Sequence, residues 1–395
     1  MNLAKYIRIH TLTTYGPNNL NRDDLSRPKS ATFGGTLRLR LSSQCVKRAW
    51  RVSDVMRDVV TGVRTRMFWV KTAQELQETY PLEALVAHIE PLRQALEGVK
   101  VGQKDDDGDS SQAGLPADDP AEESAALEKG KKAKKGKDTK SANPLETLKS
   151  KTLYFFSQSE MDFVRRTLAD TLDPNGSTGG KPLAEKQAKT LVAELPMSAD
   201  VALFGRMVAA AKDMSVDGAA QVGQQITVHK AAVEDDYFVA VDDLIGVDEA
   251  GTGHIGSNGF GAGTYYGYVA VDVHRLVKNL GGDVELAKKA VARLVEAVTT
   301  VSPSAKQNSF ACHSPATYAM VEVGNGQPVA LFNAFEAAVK GDNVAAAAIA
   351  ALKERADCHA RVYASQRVER VEFNVLTCEG TLEGVVTHAL TAFGA

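Results

Sequence analysis

Ser42, Ser43, Gln44, Lys47, Arg48 and Arg51 are the residues of this 395-residue chain whose types and spacing come nearest to a chemistry. Gln44, Lys47, Arg48 and Arg51 stand at i, i+3, i+4 and i+7, which is one face of a helix. The Ser-Ser pair ahead of them offers N-cap hydroxyls. A helix start with unpaired N–H groups, two hydroxyls, an amide and a basic stripe suits phosphate. The same pattern also describes an ordinary solvated amphipathic helix, and composition alone weighs the two evenly. The preceding loop, NRDDLSRPKSATFGG, adds Arg22, Arg27 and Lys29 and favours a polyanion.

Other constellations carry less. Asp23 and Asp24 could hold a divalent ion or position a water, but they sit among arginines, and ion pairing with Arg22 or Arg27 or turn hydrogen bonds account for them better. GTGHIG (251–256) fits G-x-G-x-x-G, yet an acidic stretch precedes it and the strand-like TYYGYVAVDV follows, the reverse of a dinucleotide site. Its glycines are expected to let the chain bend and approach a neighbour closely. Cys45, Cys312, Cys358 and Cys378 are too dispersed for a disulfide framework or a Cys-x-x-Cys site, and the eight histidines form no His-Glu-x-x-His pattern. No metal or other cofactor is expected, and no Gly-x-Ser-x-Gly nucleophile turn is present.

Several elements must position the basic residues. In Thr36–Leu41 the period-two alternation sends Leu37, Leu39 and Leu41 to a core face and Arg38 and Arg40 to the other. Val46, Ala49 and Trp50 then dock the helix. Lys5–Leu12, Tyr265–Val273 and Thr317–Val323 also alternate as strands. Val46–Val60, Ala73–Ala95, Pro144–Leu172, Pro182–Leu195, Val284–Val301 and Leu331–Lys340 have helical spacing, and Val344–Leu352 is an Ala-rich helix. Between them, nine acidic residues over 105–128 are followed by seven lysines over 129–140, too polar to offset the entropy of ordering, and 105–140 reads as a disordered loop inserted in a helical region of about 59–219. Strands from both ends of the chain, separated by helices, indicate one α+β domain whose sheet is completed across the insertion.

Bulk composition agrees with a folded, water-exposed protein: 44% hydrophobic and 24% charged. No apolar run approaches the ~20 residues that span a bilayer, and the first residues lack a signal-peptide pattern, so a cytoplasmic location without membrane partners is expected. The formal net charge of −3 speaks against a nucleic-acid binder, but residues 1–51 carry ten Lys/Arg against two acids. For a polyanion the local field matters more than the sum.

LNRDD (20–24), ATFGG (31–35), RLSSQCVKRAWR (40–51), ALFGRM (202–207), YFVAVDDL (237–244), GHIG (253–256), PSAKQNSFA (303–311) and NAFEAAVK (333–340) resemble, in order, segments of the type I-E CRISPR Cascade backbone subunit, the CasC family of the RAMP superfamily. The resemblance covers roughly 1–60 and 200–345. It implies an RRM-like (ferredoxin-like) palm over 1–58, 220–230 and 262–395, a helical fingers domain over 59–219, and a thumb hairpin over 231–261. It implies a non-catalytic subunit whose copies stack head to tail along CRISPR RNA and present it for pairing with target DNA, beside other Cascade subunits. Lys29, Ser42, Gln44 and Lys47 align with RNA-backbone contacts, and the helical face extends these to Arg48 and Arg51. Met207 aligns with a base-packing position, and Tyr237, Phe238 and Val239 fall in the thumb that unstacks a nucleotide. Two alternatives stand beside this reading: a type III-like backbone subunit cutting target RNA at Asp24 with a metal, and a monomeric RRM-like RNA-binding module.

Overall fold

The computed structural model describes residues 3–59, 62–97, 144–150, 153–193, 197–207, 215–241, 252–363 and 368–394. The acidic-then-basic segment 105–140 lies outside them. The chain divides into two compact units, one of Met1–Arg57, Ala220–Val277 and Asp283–Ala395, the other of Asp58–Ala219 and Lys278–Gly282. Both helices and antiparallel strands are present, and the fold class is α+β, as the sequence indicates.

Among the described residues, the first unit is built on a nine-stranded sheet. Its strands are β1 (Tyr6–Asn18), β2 (Ser30–Phe33), β3 (Thr36–Leu41), β6 (Ala220–Val222), β7 (Gln225–Thr227), β8 (Glu234–Val241), β9 (Thr252–Asp272), β10 (Tyr318–Gly324) and β11 (Val368–Asn374). The order is β11-β10-β1-β9-β7-β3-β2, with β6 and β8 also paired to β9, and every pairing is antiparallel. Strands from both ends of the chain thus complete one sheet.

Period-two alternation gives this sheet two buried faces. One carries Leu12, Tyr266, Tyr268, Tyr318 and Met320, packed under Ala348, Ile349, Leu352 and Ala356 of helix Val344–Val362 and under Leu331 and Phe335. The other carries Ile7, Ile9, Val269, Val271 and Val321, all buried. Helices Val284–Thr300 and Leu382–Leu390 lie against β1, β10 and β11. Val284–Thr300 buries Ala287, Ala290, Val291, Leu294 and Val298, a stripe at helical spacing, and its first turn is capped by Asp283, whose carboxylate accepts from Leu286 N–H at 2.9 Å.

A buried polar network runs through the Tyr266 face. Glu322 accepts from Arg370 at 3.0 Å and Arg8 at 3.4 Å, and His10 Nε2 lies 3.6 Å away. Leu331 N–H donates to the Tyr266 hydroxyl at 2.9 Å, which leaves the hydroxyl proton for His10 Nδ1, also at 2.9 Å. Burial pushes the His10 pKa down, so the ring is neutral with its proton on Nε2 toward Glu322. Burial alone would raise the Glu322 pKa, but His10, Arg370 and Arg8 outweigh it and hold the carboxyl at about 2.

In the second unit, helices Phe68–Leu76, Leu82–Glu97, Gln158–Leu172 and Glu185–Ala193 accompany a small ladder of β4 (Val63–Thr65) and β5 (Tyr154–Phe156). Phe68, Trp69, Ile89, Leu92, Phe156, Val164 and Leu168 form its core. Ser157 and Glu160 make a reciprocal capping box at the start of Gln158–Leu172.

Several boundaries differ from the sequence reading. The helix expected over Val46–Val60 is Ser43–Arg51 followed by a short 3-10 turn, because Ser53 hydroxyl and N–H both bond the Trp50 carbonyl and end it. Ala73–Ala95 is two helices parted just before Pro81, whose ring restricts the preceding residue. Pro144–Leu172 is interrupted by β5, and Leu331–Lys340 is helical only as a 3-10 turn at Phe332–Phe335.

Candidate nucleic-acid interface

The basic segment begins at a β-hairpin. β2 and β3 pair from Ser30↔Leu39 to Phe33↔Thr36, so Gly34 and Gly35 are a two-residue turn. Their φ values of +55° and +71° are those of a type I′ turn, which fits the twist of the flanking strands. Gly34 also passes so close to the Glu336 carbonyl that a Cβ would sit 1.6 Å from its oxygen.

β3 departs from the alternation expected of it. Leu39 and Leu41 are buried, but Leu37 is 38% exposed and Arg38 is fully buried. The Arg38 guanidinium donates to the Thr36 hydroxyl at 2.8 Å and to the carbonyls of Thr227 and Phe335 at 2.9 Å each. Its charge is dispersed over protein dipoles, and Arg38 is a structural residue. Arg40 stays outward and donates to the Gln224 side chain at 2.9 Å.

β3 runs straight into helix α1 (Ser43–Arg51). Ser42 is buried and caps it, accepting from Cys45 N–H at 3.2 Å. Val46 and Trp50 bury one face, and Ala49 is half-buried. Gln44 and Arg48 are exposed and Lys47 and Arg51 half-exposed, so the four lie on one outward face with no acid in the helix.

The loop before the hairpin is fastened to this helix by asparagines. Asn21 accepts from Ser42 N–H at 2.8 Å through its side chain and from Lys29 N–H at 2.8 Å through its carbonyl. The Lys29 carbonyl accepts in turn from Arg40 N–H at 2.9 Å. Lys29 and the start of α1 therefore share one rigid frame. Asn18 and Asn19 hold the other side: Asn19 donates to the Gly259 carbonyl at 2.8 Å and Asn18 to that of Gly261 at 3.0 Å. The sequence signal was the polar run NNLN (18–21) directly after an apolar strand. Asp23 takes the turn role expected of it, accepting from Leu25 and Arg27 N–H at 2.9 Å each. Asp24 is exposed.

β8 and the first half of β9 form a hairpin that continues beyond the strands paired to β1, in register from Glu234↔Phe260 to Ala240↔His254, with a shift before Val241↔Thr252. Residues 242–251, its connection, lie outside the described residues. GTGHIG falls almost wholly in this antiparallel strand, with no helix after it, which removes the dinucleotide reading. Alternation divides the three aligned residues between the hairpin faces. Tyr237 and Val239, with Ile255, are exposed on the face where Arg27 pairs with Asp235 at 3.0 Å and Pro28 packs on Gly259. Phe238 is on the opposite face with Gly256, Asn258 and Phe260. There Lys306 donates to Asn258 at 3.3 Å, and the Phe310 ring is 6.2 Å from that of Phe260. The segment PSAKQNSFA is thus a buttress at the base of the hairpin.

Met207 belongs to the second unit. Its side chain is 79% exposed. Arg206 beside it is half-buried, its side chain paired with Glu160 of the capping box. Among the described residues no group of three or more His, Cys, Asp or Glu is placed to hold a metal ion, and no helix is long and apolar enough to cross a membrane.

The architecture has solved counterparts. One, a chain of a CRISPR RNA-guided surveillance complex described as pre-nicking, is 26% identical, aligns over 98% of this chain and 100% of its own length, and has a TM-score of 0.74. Another, from a CRISPR RNA-guided surveillance complex, is 22% identical over 98% and 99% with a TM-score of 0.56, a likeness of fold. A search of curated proteins returned no match. The class is that of Cascade-type CRISPR proteins. Residues 7–388 match the family described as CT1975-like protein, and the chain belongs to that family.

Proposed function

We propose that the chain is a non-catalytic, CasC-type backbone subunit that binds CRISPR RNA through its phosphates, stacks head to tail with further copies, and presents the guide to target DNA beside other Cascade subunits. The observation that carries this reading is the acid-free face of Gln44, Lys47, Arg48 and Arg51, tied through Asn21 to the loop bearing Lys29. Such a surface grips a backbone without reading bases, leaving sequence to be read by the guide. The first unit acts as an RRM-like palm, the second as fingers and the β8–β9 hairpin as a thumb. Phe238 on one side of that hairpin, and Tyr237 and Val239 on the other, would meet bases, and Met207 of the second unit would pack against a base. An RRM acting alone stacks bases on the aromatic face of its sheet. Here Tyr266, Tyr268 and Tyr318 on that face are buried, which favours the backbone mode over a monomeric module.

Two measurements test the proposal. Co-purified with its complex, the protein should carry CRISPR RNA and sediment as a guide-dependent oligomer, and a monomer free of RNA would end this reading. Lys47→Ala or Lys29→Ala should weaken binding equally for all sequences and lower the salt dependence by roughly one phosphate contact. A change in base preference at constant affinity would refute the assigned role. Complementary RNA with Mg²⁺ should remain uncut by the assembled complex, and regular cleavage lost on Asp24→Ala would instead establish the type III-like enzyme.

A further inference from the structure

Phe238 lies on the two-stranded β8–β9 hairpin. Its cross-strand partner is Gly256. A Cβ built on Gly256 would fall 2.4 Å from Cζ of the Phe238 ring, 2.7 Å from Cε1 and 3.2 Å from Cε2. The far end of the ring is therefore folded across the ladder onto bare glycine backbone rather than standing away from its own strand. No other residue leaves that space. Adjacent rungs differ: Tyr237↔Ser257 and Val239↔Ile255 carry a side chain on both strands, and Tyr237 is 64% exposed against 38% for Phe238. A glycine laid open to a cross-strand aromatic also pins strand register.

We propose that Gly256 is a positioning residue for RNA binding: it holds the Phe238 ring flat across the hairpin, in the one attitude in which it meets the bases. The inference rests on the RNA-backbone reading above and assigns the orientation of its thumb aromatic to a residue that contacts no RNA itself. A ring already held in place loses less rotamer freedom on stacking, and stacking on an aromatic accepts any base. A methyl at 256 displaces the ring without touching Lys29, Gln44 or Lys47, so unstacking and phosphate affinity should separate.

The experiment uses the full chain with its guide RNA, carrying 2-aminopurine at successive positions, and a fluorinated phenylalanine at 238. In the unmodified protein, bright positions mark unstacked bases. Gly256→Ala should shift the fluorine resonance of the free chain and reduce the bright signals at least twofold, with RNA affinity within about threefold of the parent. Phe238→Leu should reduce them as well, and the double variant should be no worse than Phe238→Leu, because without the ring the methyl has nothing to displace. An unmoved fluorine overturns the proposal before RNA is added. A moved fluorine with undiminished bright positions overturns the positioning role and leaves the RNA reading intact. No bright position in the parent removes the thumb's unstacking role, and Gly256's with it. RNA affinity lost along with the signal assigns the glycine to the hairpin's fold instead.

Discussion

Arg38 and Arg40 are two residues apart in one strand and identical in type, and their surroundings make them different groups. Arg38 has its guanidinium in the interior, bonded to Thr36, Thr227 and Phe335. Truncation would leave those buried acceptors without donors and open a cavity, and Arg38→Ala should cost about 3 kcal/mol or more in denaturant unfolding. Arg40→Ala, at a solvated bond to Gln224, should stay within about 0.5 kcal/mol. Equal costs would contradict this division. Ser42 shows a related split, since its hydroxyl serves the helix start whatever else approaches it, and Ser42→Ala should cost about 1 kcal/mol as a lost cap.

At the scale of elements, the hairpin β2–β3 determines where the basic helix begins. Its turn glycines are not equivalent. Gly34 needs both its positive φ and the absence of a Cβ against the Glu336 carbonyl, whereas Gly35 has positive φ and open space around it. Gly34→Ala should therefore destabilise the protein by about 2 kcal/mol or more, while Gly35→Asn, a residue that tolerates the left-handed region, should change it by less than about 1 kcal/mol. Thermal unfolding of the two variants decides it, and a tolerated Gly34→Ala would show that β2–β3 can yield. The helix was legible because its caps and stripe are local. The strand face was not, because alternation says which residues share a side but not that a second layer covers both sides.

The buried network of the first unit should make the stability of the molecule fall in acid. Glu322 is held at about 2 in the folded state against 4.5 as a free side chain. Its contribution is therefore complete above about pH 4.5 and is lost as pH falls toward 2. His10 is shifted down from 6.5, so below that value the unfolded chain binds a proton that the folded chain refuses, and stability falls there too. Unfolding midpoints should thus drop in two stages, beginning near pH 6.5 and steepening below 4.5. Glu322→Gln should remove the second stage while costing about 3 kcal/mol at neutral pH, because Arg8 loses its counter-charge and Arg370 keeps only Asp357, at 2.8 Å. A variant with the same acid slope as the parent would show that the network does not set it.

The sequence by itself determined the α+β class, the strand-turn-helix at 36–51 and its outward stripe of Gln44, Lys47, Arg48 and Arg51, because periodicity and caps are written in neighbouring residues. It determined too that GTGHIG is no nucleotide loop, since a strand follows it. Only the tertiary structure decided that Arg38 is an internal strut, that Asn21 joins Lys29 to α1, and that Phe238 and Tyr237 face opposite ways with Gly256 beneath the ring. Each of these depends on contacts between segments distant in sequence, such as 38 with 335 and 19 with 259. Spacing along the chain constrains which residues share a face but cannot show what that face meets.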